Sequence, residues 1–125
     1  MDEMPSVKQD GNGFKRWFRS THFDLFTWQS PDGDFTSLQL CYDRGEDEHV
    51  LRWDAGKGYW HEAVDLDESK PGRAMSALLR ANGAFPRDLV LARFLDEAAA
   101  LPPNVIQFVE SRLRELPLPP QPPAA

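Results

Sequence analysis

His61 with Asp65, His22 with Asp24, and the lone Cys41 are the residues whose types could do chemistry. An imidazole beside a carboxylate is the pairing used for proton transfer and for holding metals, and a thiolate is a nucleophile. Spacing limits all three. On a strand His61 and Asp65 share a face but stand about 13 Å apart. Zinc holds its nitrogen and oxygen ligands at about 2 Å, so one metal takes both only if the strand bulges or ends at Ala63. His61 is better placed to meet a cross-strand partner, with Arg52, Asp24 or Asp43 as the candidates. His22 and Asp24 are about 7 Å apart along one strand face, close enough for a shared hydrogen bond and equally suited to a surface pair. Cys41 lies mid-strand between Leu40 and Tyr42, a setting in which a thiol is ordinarily buried and inert. His61 beside it would be needed to activate it.

Other candidate patterns fall short of a site. Asp43, Glu46, Asp47 and Glu48, and Glu62, Asp65, Asp67 and Glu68, form two acidic turns without the ligand spacing or central Gly of a calcium loop. Ala55-Gly56-Lys57-Gly58 is followed by a strand, whereas a phosphate loop opens a helix. Lys15-Arg16-Trp17-Phe18-Arg19 mixes base and aromatic, but the net charge of -6 argues against nucleic acid as a partner. Arg114-Glu115-Leu116-Pro117-Leu118-Pro119-Pro120 fits the form of a polyproline ligand, although Arg114 falls in a predicted helix. No metal or other cofactor is called for by any of these patterns.

The elements that must position these residues follow from composition. All four Trp, both Tyr and five of the eight Phe lie between Phe14 and Trp60. Aromatics fit pleated surfaces, and the Ala and Leu that follow fit helices. Strands are predicted at 22–28, 35–42, 49–53 and 59–65, with a short fifth at 75–80. Ser30-Pro31-Asp32-Gly33-Asp34 is a turn. Two helices follow: one from Pro86 with Leu91, Phe94, Leu95 and Ala98 as its stripe, and one after Pro102-Pro103 with Ile106, Val109 and Leu113. The prediction is an α+β domain, an antiparallel β-meander of four to five strands followed by two C-terminal helices packed on one sheet face. Residues 14–116 form that single domain, residues 1–13 a disordered N-terminal segment, and residues 117–125 a disordered Pro-rich tail.

Side-chain parity sharpens the first hairpin. A loop of even length places Phe23 and Leu25 with Leu38, Leu40 and Tyr42, and so makes one apolar face. The other face then carries Asp24, Phe26, Trp28, Ser37, Gln39, Cys41 and Asp43. An odd loop would mix the two sets.

Trp17-Phe18, Phe23-Asp24-Leu25-Phe26-Thr27-Trp28, Leu38-Gln39-Leu40-Cys41-Tyr42-Asp43, Leu51-Arg52-Trp53 and His61 with Val64-Asp65 together resemble a group of small uncharacterised bacterial proteins. Those proteins carry a strand run like F-Q-L-C-Y-D, with Leu38 here in place of the Phe. The resemblance implies a bacterial, cytoplasmic setting and brings no activity, cofactor or catalytic residue. No apolar run approaches the length of a membrane span, and a single Cys with a polar start fits a cytoplasmic protein.

The functional expectation is a small non-enzymatic binding or regulatory domain. Its mixed aromatic and polar sheet face, with Asp24, Phe26, Trp28, Gln39, Cys41, Arg52 and His61, would meet a protein partner or a second copy. The alternative is a small enzyme with a site around His61, Asp24, Cys41 and Arg52.

Overall fold

The computed structural model describes residues 1–45, 48–63 and 85–116. Six antiparallel strands pair in chain order: β1 (Asp2–Glu3), β2 (Phe14–Arg19), β3 (Phe23–Gln29), β4 (Phe35–Tyr42), β5 (His49–Asp54) and β6 (Gly58–Ala63). Two helices follow, α1 (Arg87–Glu97) and α2 (Pro103–Arg114). The layout is the expected α+β meander, but with six strands rather than four to five. The additional two come from the front of the chain. Residues 75–80, expected as a further strand, lie outside the described residues, as do Asp65 and the tail from Pro117.

β2 is hard to read because only Phe18 among its residues is fully buried, while Lys15, Arg16 and Arg19 supply charge on both faces. Residues 1–13 contribute β1 and more. Asp2 and Glu3 pair with Arg19 and Phe18, and Arg16 closes an ion pair with Glu3 at 2.7 Å. The Gln9 side chain acts as a substitute strand, accepting from Lys15 N and donating to Lys15 O, both at 2.8 Å. Residues from the N-terminal segment, expected to be disordered, therefore pair along the edge of the sheet.

The β3–β4 register pairs Phe23 with Tyr42, Leu25 with Leu40 and Thr27 with Leu38. That is the even parity, and Phe23, Leu25, Leu38 and Leu40 are fully buried. The connection itself, Ser30 to Asp34, is odd in length. A register shift between Trp28 and Gln29 absorbs the extra residue and keeps the apolar face intact. Gly33, at φ +90°, takes the left-handed position of the turn.

Both helices cover this inner face. Phe94 of α1 meets Phe23 edge-on at 6.2 Å. Phe108 of α2 stacks on Phe35 at 4.2 Å. Val105, Val109 and Leu113, four residues apart, form the buried side of α2. Pro86 caps α1 from just outside, and Pro103 begins α2, where its missing N–H costs nothing. Leu95, expected in the α1 stripe, is 37% exposed, and Val90 is buried in its stead.

Candidate functional site

The outer face of the sheet is built by register. Five residues stand opposite one another in a single cross-strand row: Trp17, Phe26, Gln39, Arg52 and Trp60. A flanking row holds Lys15, Trp28, Ser37, Asp54 and Gly58, and the other flank holds Arg19, Asp24, Cys41, Val50 and Glu62. Asp24, Phe26, Trp28, Gln39, Cys41 and Arg52 thus share one face as expected. Among the described residues no helix lies across it.

His61 does not join them. It stands opposite Leu51 on the helix-covered face, 1% exposed. None of its expected partners, Arg52, Asp24 or Asp43, is its neighbour. Its Nε2 lies 2.6 Å from the Tyr42 phenol oxygen, and its ring stacks with those of His49 and Tyr42, with Phe85 edge-on. Burial, with the His49 ring beside it, holds its pKa down at about 4. Two-residue periodicity is the reason: in the β5–β6 register an odd position of β6 faces the same side as Leu51. The enzyme grouping of His61 with Asp24, Cys41 and Arg52 is therefore divided between opposite faces of the sheet.

Cys41 is buried on the outer side, where burial pushes its thiol up to about 11. It keeps an inert thiol, with Gln39 Nε2 at 3.9 Å as its donor. The His22 and Asp24 pair also separates. His22 Nδ1 meets Glu97 Oε2 at 2.6 Å, whereas Asp24 accepts from Trp17 Nε1 at 2.8 Å and pairs with Arg19 and Arg44. Asp43 sits at φ +56° and pairs with Arg93. Among the described residues no group of three or more His, Cys, Asp and Glu could hold a metal ion. Arg114 is helical and bound to Glu110, so it does not present an extended ligand.

The aromatics of the outer face are ordered. Trp17 stacks on Phe26 at 5.8 Å and an 11° interplanar angle, and Phe26 meets Trp28 at 6.4 Å. Trp28 is 4% exposed, although it lies outside the helix-covered core. Arg52 covers its ring at 4.7 Å, Lys15 at 5.3 Å, and its indole N–H donates to Asp10 Oδ2 at 3.0 Å. Trp28 is thus a fixed part of the platform, while Trp17, Phe26 and Trp60 remain half-buried with part of each ring open. Trp17 and Lys15, which β2 brings to this face, stood in the sequence only within a mixed basic and aromatic run and were not assigned to the sheet face. The alternation within Lys15-Arg16-Trp17-Phe18-Arg19 was the available signal.

The charges of the face are balanced within it. Lys15 faces Asp10, Arg19 faces Asp24, and Arg52 faces Asp54 at 3.1 Å. Burial works against ionisation of Asp54, but hydrogen bonds from Arg52 and Ser37 outweigh it and draw its pKa below the usual range. A surface of aromatic rings with neutralised charge is suited to an uncharged, ring-bearing or apolar ligand rather than to a polyanion.

No family model, curated protein or solved structure matches this chain.

Proposed function

We propose that this protein is a small non-enzymatic binding domain whose outer sheet face receives an extended, uncharged peptide segment. The row Trp17, Phe26, Gln39, Arg52 and Trp60 carries the reading. Rings stand towards its two ends, and an amide and a guanidinium lie between them. Such a row offers stacking surfaces for prolines or apolar side chains and donors for the carbonyls between them. The pairing of each cation with a carboxylate supports an uncharged ligand over nucleic acid. No helix among the described residues is long and apolar enough to cross a membrane. The single Cys41 and the resemblance to small bacterial proteins support a cytoplasmic setting.

The test is a titration of the isotope-labelled protein with a synthetic, uncharged proline-rich peptide. Saturable shifts of the Trp17 and Trp60 indole resonances are expected, with Trp53, on the inner face, unmoved. A lack of saturable response at Trp17 and Trp60 would overturn the reading.

A further inference from the structure

β2 lies next to a strand of only two residues, and most of its free edge is satisfied by other means. Main-chain groups alternate in direction along a paired strand. Lys15, Trp17 and Arg19 turn theirs away from β3, as the bonds of Lys15 and Trp17 show. Met4 N donates to Trp17 O at 2.8 Å, and the ladder stops at Pro5, which has no N–H. Lys15 then receives a side chain where a strand would lie. Its N–H donates to Gln9 Oε1 and its carbonyl accepts from Gln9 Nε2. A carboxamide offers a donor and an acceptor side by side, as a residue of a neighbouring strand does. Gln9 thus fills one rung of a ladder that a true strand could complete.

The segment that covers this edge is lightly held. None of residues 2–13 is buried. Its side-chain ties to the sheet are Glu3 to Arg16, with Glu3 43% exposed, and Asp10 to Lys15 and to the Trp28 indole. Exposed ion pairs of this kind contribute little. Gly11-Asn12-Gly13 joins the segment to β2, and both glycines sit at positive φ. Charge defines what the edge accepts. β2 carries Lys15, Arg16 and Arg19 within six residues, in a chain of net charge -6. The resident answers two of them with carboxylates, Glu3 and Asp10.

We propose that the edge of β2 docks an extended acidic segment of a partner protein, which pairs antiparallel to β2 and displaces residues 2–10. Its main chain replaces Met4 at Trp17 and Gln9 at Lys15, and its carboxylates replace Glu3 at Arg16 and Asp10 at Lys15. Such strand addition takes affinity from the ladder and selection from alternate side chains. The resident segment caps the edge until then, which protects it from unspecific pairing. This edge is separate from the row of rings on the outer face, and its partner differs from the uncharged peptide in charge and in mode of binding.

The probe is a terminally blocked heptapeptide of alternating Glu and Thr, with alternating Gln and Thr as the control. Each is titrated into the isotope-labelled full chain and into its Gln9→Ala variant. Saturable shifts of the Lys15, Trp17 and Arg19 amide resonances are expected. The variant should bind about tenfold more tightly, since Gln9 no longer competes, and the control about tenfold more weakly than the acidic peptide. That second difference should shrink as added salt screens the charges. The Trp53 indole, beneath α2, reports whether the fold is retained. If Gln9→Ala loses that signal, Gln9→Glu is read instead, since it removes the donor to Lys15 O and keeps the acceptor. An absence of saturable shifts along β2 in both proteins overturns the docking edge, and so does equal binding of the neutral peptide. Shifts at Gln39 and Trp60 in place of β2 assign the acidic peptide to the outer face and overturn it too. Resonances of β2 that change with protein concentration before any peptide is added assign the edge to a second copy, which also overturns it.

Discussion

The phenol oxygen of Tyr42 and Nε2 of His61 lie 2.6 Å apart, although β5 runs between their strands. Both rings stack on His49 of β5, with Phe85 edge-on to each, and the contact ties β4 to β6 inside the core. It also leaves His61 Nδ1 buried without a partner among the described residues. A neutral ring fits that position, because a charged one would need a second acceptor there.

Stability should therefore fall as the pH drops from neutrality. The folded pKa of His61 is near 4, against about 6.5 in the unfolded chain. Below about 6.5 the unfolded state binds a proton that the folded state refuses. The stabilisation is complete above pH 6.5 and is lost progressively down to about 4. The difference is on the order of 3 kcal/mol. Urea denaturation at pH 7 and at pH 4.5 measures it, and His61→Phe should flatten the slope in that window. A His61 imidazole titrating near 6.5 in the folded protein would contradict the placement.

Cys41 should be almost unreactive until the protein unfolds. Its thiol is raised to about 11 by burial, which lowers the thiolate fraction at pH 8 by about a hundredfold. Labelling with a thiol reagent is expected to slow by at least that factor relative to the denatured chain. Comparable rates in the two states would show that the outer face opens.

Trp28 should matter for stability as much as a core residue. It is 4% exposed and held between Arg52 and Lys15. Trp28→Ala is expected to cost about 3–5 kcal/mol, the range of large-to-small changes in well-packed sites. Trp28→Phe should cost less, since it keeps the stack with the cations and loses the bond to Asp10. Thermal unfolding of the two variants checks the order.

Gly13 is fixed by a close approach. At φ +103° a Cβ would lie 2.6 Å from the backbone oxygen of Gln29, at the end of β3. Gly13→Ala should therefore cost about 2 kcal/mol through backbone strain and displacement of the start of β2. Gly33→Ala has the same kind of φ but open space around it, so it should cost less. Equal losses in calorimetry would remove the role of the Gln29 contact.

The α+β order, the parity of the β3–β4 hairpin and the two helices were legible from residue types. Rings and β-formers precede Ala and Leu, and alternation along a strand has a period fixed by the pleat. Phe23, Leu25, Leu38, Leu40 and Tyr42 fell on one face because no other register makes an apolar side. β2 was hidden because its one buried residue, Phe18, is surrounded by Lys and Arg.

What the sequence by itself determined is the composition of each sheet face in that hairpin. Tertiary structure decided which distant residues share them. Register across β5 and β6 turned His61 inward to Tyr42 and away from Cys41, since a shift of one residue exchanges the faces of a strand. The contact of Asp10 with Trp28 and the ion pair of Arg52 with Asp54 determined how much of each ring is covered. Long cationic side chains lie either in water or flat on an aromatic ring. Only the neighbours brought up by folding select between the two.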